Sequence, residues 1–260
     1  MIRILEARRS QGHRTLSYPA GEPTLPERFR GLPVIGPAKC GAGCQACVDV
    51  CPTRALSLES DRLRLDLGKC VFCGACAEVG PPGAVTMSRD FKLASRTRAG
   101  LLLHGEERPR VEVLEARSRK LFGRSLRLRQ VSAGGCNGCE VEVAALQNVV
   151  FDFSRFGVQF VASPRHADGL LVTGPVTRNM ALALRKTYEA VPAPKIVIAA
   201  GACAISGGPF AGNSEVLGGA SSTVPVDLYI AGCPPHPLTL LDGLLRLLGR
   251  LEEGGPRGLD

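Results

Sequence analysis

The sequence predicts two successive folding units: a small, cysteine-dense α+β unit, followed by a larger α/β unit built on a doubly wound parallel sheet. The small unit is indicated by a crowd of cysteines from Cys40 to Cys76, within which a motif repeats. The large unit is indicated beyond residue 125, where short apolar runs alternate with amphipathic stretches, as in βαβ units. The predicted boundaries are 1–38 for an extended N-terminal arm, 39–90 for the small unit, 91–124 for a basic connector and 125–260 for the large unit.

Length and cysteine content define the broad class. With 260 residues, 45% of them hydrophobic, the chain can bury a substantial core. Its 11 cysteines stand mostly two or three residues apart, a spacing that suits shared metal ligation better than disulfides and requires a reducing compartment. No apolar run reaches the roughly eighteen residues of a membrane span, and no signal peptide is recognisable. We therefore expect a cytoplasmic protein that reaches membranes only through partners.

The net charge of +8 is regional. Residues 92–129 contain eleven basic and four acidic residues, which is nearly the whole excess. Aromatic residues make up only 5% of the chain, there is no Trp, and the basic segment lacks interleaved stacking side chains. Nucleic-acid binding is therefore not expected, and the segment is interpreted as a solvated face or a docking surface for an acidic partner.

The N-terminal arm and the repeat come first along the chain. Five prolines between Pro19 and Pro37 disfavour regular structure there and predict an extended arm. In the small unit, the motif that begins Cys44-Gln-Ala-Cys47 recurs as Cys73-Gly-Ala-Cys76, which predicts two related halves. The unit has little apolar mass of its own, so we expect metal clusters to hold it together.

One half of the small unit carries a complete ligand set. Three cysteines at successive x2 spacings, Cys70, Cys73 and Cys76, combine with the upstream Cys51, which precedes a proline. This is the [4Fe-4S] pattern of two-cluster ferredoxins, in which one run receives its fourth ligand from the other. Zinc is the alternative, but zinc ribbons use cysteine pairs separated by longer spans.

The other half is incomplete. Its set would be Cys40, Cys44 and Cys47 with a fourth ligand at position 80, where the sequence has Gly80 before a proline. Cys40 also stands one residue too far from Cys44 for the repeat. The site could hold a [3Fe-4S] cluster, recruit a ligand other than cysteine, or be empty. An incomplete or unusually ligated cluster is the favoured hypothesis.

The large unit supplies a further set of cysteines. The predicted strands are 125–131, 158–162, 169–173, 195–199 and 226–230, and the predicted helices are 140–150, 178–190 and 237–251. Cys136 and Cys139, Cys203, and Cys233 each follow one of these strands. Because the carboxyl ends of parallel strands meet at one edge of a sheet, we expect these four cysteines to converge on a second [4Fe-4S] cluster.

Two glutamates follow the first cysteine pair. Glu140 and Glu142 fall on the opening turn of a predicted helix. A carboxylate there can act as a favourable partner for the helix dipole, which is the preferred interpretation, or as a station for protons.

The large unit resembles the small subunit that carries the proximal cluster in membrane-bound [NiFe] hydrogenases, and its homologue in respiratory complex I. The resemblance covers residues 125–250 and rests on the stretch 161–177 and on Gly232-Cys233-Pro-Pro. The complex I homologue has adjacent cysteines as its first two ligands, whereas Cys136-Asn-Gly-Cys139 resembles the hydrogenase form, in particular that of formate hydrogenlyase. The front of the chain, from Thr15 through the cysteine repeat, resembles the eight-iron ferredoxin-like subunit of the same complexes.

The resemblance implies a fusion of the two subunits: a dicluster-ferredoxin-like α+β unit followed by a flavodoxin-like doubly wound α/β domain. It implies an electron-transfer subunit of an oxidoreductase, with no complete active site in this chain alone. The implied partners are a hydrogenase large subunit carrying the NiFe site and other redox and membrane-arm subunits, on the inner face of the membrane. The alternatives are the equivalent subunit of a complex I-like quinone oxidoreductase or a nickel-free relative, and a zinc-stabilised binding protein.

Overall fold

The computed structural model describes residues 2–36, 45–59, 62–81, 83–105, 107–114, 116–122, 125–252 and 255–256. Its α-helices are α1 (Ile2–Gln11), α2 (Ala46–Asp49), α3 (Ala75–Val79), α4 (Ala116–Phe122), α5 (Gly138–Ala145), α6 (Arg178–Ala190), α7 (Ala202–Ser206) and α8 (Pro237–Leu247). Its strands are β1 (Pro33–Ile35), β2 (Leu56–Glu59), β3 (Arg62–Asp66), β4 (Val85–Met87), β5 (Ala94–Ser95), β6 (Leu102–His104), β7 (Leu126–Ser132), β8 (Val158–Phe160), β9 (Gly169–Thr173), β10 (Ile196–Ala200), β11 (Leu228–Ile230), β12 (Leu251–Glu252) and β13 (Gly255–Pro256).

A mostly parallel six-stranded sheet forms the large unit. Its order is β5-β11-β10-β9-β7-β8, with β7 to β11 parallel and β5 antiparallel to β11. Every residue of β9 and β10 is buried, as expected for apolar strands covered on both faces. Numbered along the chain, the five parallel strands have the order 2-1-3-4-5. The prediction of an α/β unit with a parallel sheet is confirmed.

Two predicted helices are too long at their carboxyl ends. The helix predicted over 140–150 ends at Ala145, because the Asn148 side chain accepts backbone hydrogen bonds from Val150 and Phe151 and turns the chain. The helix predicted over 237–251 ends at Leu247, before Gly249, whose φ of 69° is a helix-ending left-handed conformation. By contrast, β9 and α6 have the predicted bounds.

Small antiparallel sheets form the cysteine-dense unit. β1 pairs with β4, and β3 lies between β2 and β6. Short helices α2 and α3 contain Cys47 and Cys76 respectively. This arrangement of short strands and helices is consistent with a ferredoxin-like dicluster unit.

The segment predicted as a basic connector joins the two units. β5 adds an antiparallel edge strand to the large sheet, while β6, only a few residues later, pairs with β3 of the small unit. Leu67 and Leu101 lie in the same buried cluster as Ile205 and Tyr229. The units therefore share one apolar core, which fixes their relative position.

The first residues of the N-terminal arm do not have the predicted extended conformation. Residues 2–11 form α1, not an extended segment, because this stretch lacks proline and is rich in helix formers. Further on, the arm lies against the large unit: the Tyr18 hydroxyl donates to the buried Asp242 carboxylate at 2.6 Å, and Leu16 N donates to Val150 O at 2.9 Å.

None of the helices in the described ranges is both long and apolar enough to cross a bilayer.

Candidate metal centres

The large-unit cysteines meet at the carboxyl edge of the parallel sheet. Cys136 and Cys139 follow β7, Cys203 lies in α7 directly after β10, and Cys233 follows β11. Burial, then the negative charges of Glu140, Cys203, Cys233 and Cys136, raise the pKa of the Cys139 thiol to about 12. The structure thus places all four cysteines predicted as one ligand set at this edge of the sheet. We refer to these four residues as the edge site.

Without a bound metal, the thiols of the edge site hold their protons more tightly than free cysteine does. Burial, followed by the charges of Cys233 and Cys136, raises the pKa of Cys203 to about 11. Thiolates packed this closely repel each other, and bound cations remove that repulsion while displacing the protons. An all-thiolate set of four is the usual donor set of a [4Fe-4S] cluster, so the residues present fit such a group.

Glycine makes room beside the sulfurs. Gly201 has φ +93°, and a Cβ added there would lie 2.6 Å from Cys139 Sγ. A Cβ at Gly208 would lie 2.9 Å from Cys203 Sγ. Larger residues at either position would fill the space that the thiols occupy.

The edge site is open on one side. Cys136 and Cys233 are exposed, Cys139 is half-buried, and Cys203 is buried with 8% of its surface exposed. A group held here would be covered by protein on the Cys203 side and accessible on the other.

Glu140 is tied to the same edge of the sheet. Its Oε1 accepts hydrogen bonds from Ser132 Oγ at the end of β7 and from Thr173 Oγ1 at the end of β9, both at 2.7 Å. Burial alone would raise the pKa of Glu140, but these two bonds together with a backbone bond outweigh it and lower the pKa below its ordinary value. The sequence did not reveal this contact, since nothing in a strand-terminal Ser or Thr identifies its partner.

The small unit brings together its complete ligand set, which we refer to as the inner site: Cys51, Cys70, Cys73 and Cys76. Burial first raises the pKa of Cys70 to about 12, with the other three thiols adding to the rise and a hydrogen bond from Phe72 N opposing it. These four cysteines line one cavity whose other walls are mainly apolar side chains. Thiolate donors around an apolar space again fit a [4Fe-4S] cluster.

Cys47 lies beside the inner site. It is buried, with 2% of its surface exposed, and its Sγ lies 3.6 Å from Cys76 O. A Cβ at Gly80 would lie 2.6 Å from Cys47 Sγ, so position 80 faces Cys47 as the repeat predicts. Cys40 and Cys44, which complete the predicted set, lie outside the described residues.

In the described part of the chain, no group of three or more His, Cys, Asp or Glu side chains is arranged to hold one ion.

Helix α7, which contains Cys203 of the edge site, contacts the loop that leads to Cys70 of the inner site. Ser206 Oγ, three residues after Cys203, donates to the backbone oxygen of Gly68 at 3.0 Å, and Gly68 lies two residues before Cys70. A Cβ at Gly68 would lie 2.7 Å from Ile205 Cγ2. α7 thus packs directly on the loop that leads to Cys70, a contact that spans 138 residues of sequence.

Two family descriptions match the chain. Residues 136–247 match the 20 kDa subunit of NADH ubiquinone oxidoreductase, and residues 32–81 match the 4Fe-4S dicluster domain. The first range contains the edge site, and the second contains both halves of the cysteine repeat.

Curated relatives each match about half of the chain. Formate hydrogenlyase subunit 7 of Escherichia coli is 48% identical over 145 residues, which are 54% of this chain and 57% of that protein. The "Probable membrane-bound hydrogenase subunit mbhJ" of Pyrococcus furiosus is 42% identical over 152 residues, which are 58% of this chain and 91% of that protein. A NADH-quinone oxidoreductase subunit of Heliobacterium modesticaldum is 42% identical over 128 residues, which are 49% of this chain and 73% of that protein.

Proposed function

This chain belongs to the family of the 20 kDa subunit of NADH:ubiquinone oxidoreductase, and we propose that it is the electron-transfer subunit of a membrane-associated [NiFe] hydrogenase complex. In this role it relays electrons through iron–sulfur clusters to or from a nickel site in a partner large subunit. The observation that carries the proposal is the edge site itself, four cysteines at the carboxyl edge of the parallel sheet within the residues that match the 20 kDa subunit family. Helix α7, which contains Cys203, also packs on the loop that leads to Cys70, and the two units share one apolar core.

The proposed cluster ligands are the edge site and the inner site, each holding a [4Fe-4S] cluster. When bound, such clusters accept and donate single electrons. The chain's own residues hold the thiolates in place, exclude water from Cys203 and donate backbone N–H groups to sulfur, as Ala55 N does to Cys51 Sγ at 3.2 Å. Hydrogen bonds to sulfur are one of the means by which proteins adjust cluster potentials.

The proposed domain organisation and fold follow from the same features. The strand order 2-1-3-4-5 supports a flavodoxin-like sheet, and in such sheets ligands bind at the carboxyl edge. We retain the proposed units 1–38, 39–90, 91–124 and 125–260, with the arm and the connector packed against both.

The exposed face of the edge site is the surface on which we propose that the partner large subunit docks. Cys136 and Cys233 reach the surface, and Val141 on the adjoining helix α5 is 57% exposed. We propose that the large subunit covers this face, so that the complete active site lies in the complex and not in this chain alone. Membrane attachment on the inner face would come through partner subunits.

The proposed reaction is tested by measuring the nickel content and hydrogen turnover of the purified complex. We expect the purified native complex to contain nickel and to evolve or take up hydrogen, and the isolated chain to be brown and redox-active without hydrogen turnover. A nickel-free complex without hydrogen turnover would instead favour the complex I-like alternative, which the similarity to the NADH-quinone oxidoreductase relative supports. A colourless, zinc-containing chain would contradict both.

A third, incomplete cluster at Cys40, Cys44 and Cys47 remains our proposal. Two full cubanes account for roughly eight iron atoms per chain, and a [3Fe-4S] centre adds roughly three. We expect the higher count together with an electron paramagnetic resonance signal in the oxidised protein, because an oxidised [3Fe-4S] centre is paramagnetic whereas oxidised [4Fe-4S] centres are silent. Iron for two cubanes only, with no oxidised signal, would show that this site is vacant.

A further inference from the structure

We propose that Glu140 sets the reduction potential of the edge-site cluster, by holding a fixed negative charge beside the cysteines that ligate it. The inference rests on the proposed function, since it requires a cluster at the edge site. Glu140 would thus influence electron transfer although it is not a cluster ligand.

The first step is the state of the carboxylate. Both hydroxyl donors, Ser132 Oγ and Thr173 Oγ1, reach the same oxygen of Glu140 at 2.7 Å. Two hydroxyl donors on one carboxyl oxygen stabilise the ionised form of Glu140, since charge-assisted hydrogen bonds are stronger than neutral ones. Thr173 is fully buried, so one of these donors cannot turn to solvent.

The second step is the position of the charge. Glu140 directly follows the ligand Cys139, and a Cβ at Gly135, in the loop leading to Cys136, would lie 3.3 Å from Glu140 Oε1. The hydrogen bonds to β7 and β9 keep the carboxylate against the sheet edge and prevent it from swinging into solvent.

The third step is the effect on reduction. Reduction adds one electron to the edge site, taken from a one-electron donor, and no bond forms or breaks in the chain. A nearby negative charge disfavours the added electron, more strongly where burial lowers the local dielectric constant. Glu140 therefore lowers the potential of this site and makes the reduced site a stronger electron donor.

Glu142 provides a matched control. It lies on the same helix, two residues further on, and it also carries one carboxylate. Glu140 is tied to the ends of β7 and β9 through Ser132 and Thr173, whereas Glu142 lies further along the helix and burial raises its pKa. Glu140→Gln and Glu142→Gln therefore each remove one carboxylate, and these hydrogen bonds to the sheet edge belong to Glu140.

The experiment is a redox titration of the full-length, cluster-loaded chain, with dithionite as reductant and detection of the edge-site signal by electron paramagnetic resonance. For Glu140→Gln we expect reduction to become at least about ten-fold more favourable, a rise of about 59 mV for a one-electron centre. Glu142→Gln should shift the potential by clearly less. Ser132→Ala keeps the charge and should not raise the potential.

The other possible outcomes distinguish failure of this inference from failure of the proposed function. An unchanged potential in Glu140→Gln, with the cluster present, would overturn the inference and leave the proposed function intact. Loss of the cluster in Glu140→Gln, with a lower melting temperature, would assign the residue a purely structural role and also overturn it. Absence of an edge-site cluster in the unmodified chain would contradict the proposed function itself.

Discussion

Replacing Cys203 by alanine is expected to remove the cluster of the edge site while leaving the inner site loaded. Cys203 is the buried member of the set, so water cannot easily take its place as a ligand. The protein should lose roughly four iron and four sulfide atoms per chain. Alanine is compatible with helix α7, and we therefore expect the fold of the large unit to survive.

Iron and sulfide analysis with electron paramagnetic resonance of the reduced protein measures this loss. The reciprocal variant, Cys51→Ala, should empty the inner site and spare the edge site. Ser222→Ala, which removes only local bonds to Gly219 O and Thr223 Oγ1, should change neither. Unaltered iron content in Cys203→Ala would show that this residue is not a ligand, and the edge site would have to be reassigned.

The second large effect is expected from Gly201→Ala. Gly201 has φ 93° and ψ 156°, a backbone region that is essentially restricted to glycine and costs other residues about 1–3 kcal/mol. Its N–H donates to Ile230 O at 2.9 Å, which holds the backbone in this conformation. The new methyl group would also lie 2.6 Å from Cys139 Sγ, so the sulfur must move. We expect lower thermal stability together with partial or complete loss of the edge-site cluster.

Gly212→Ala separates the effect of backbone strain from the effect of the close approach to Cys139 Sγ. Gly212 also has a positive φ, +85°, but an added Cβ there has no atom within 4 Å. This variant should lose some stability through backbone strain and keep its full iron content. If Gly201→Ala also kept its iron, the close approach to Cys139 would have no consequence for the cluster.

The cysteine spacings could be interpreted from the sequence because the geometry that they encode is local. Successive x2 spacings place Cys70, Cys73 and Cys76 on one tight loop, whatever the rest of the chain does. Likewise β9 and α6 have the predicted bounds, since runs of buried apolar residues and helical spacing are properties of short segments.

Local pattern was insufficient where a contact from elsewhere decides the outcome. The extended arm was a wrong prediction for residues 2–11, which form α1, and a turn at Asn148 shortened α5. The basic connector supplies a strand to each unit, which no charge pattern indicates. Strand pairing depends on partners that are distant in sequence, and only the folded chain identifies them.

By itself, the sequence indicated which cysteines are candidate metal ligands and that the large unit is built on parallel strands. Only the tertiary structure decided that the Glu140 carboxylate is shared by Ser132 and Thr173, and that Ser206 contacts Gly68 between the two cysteine sites. The physical reason is the range of the forces involved. Backbone propensity and ligand spacing act over a few residues, whereas hydrogen bonds and packing between distant segments exist only after the sheet has formed and the apolar core has closed around it.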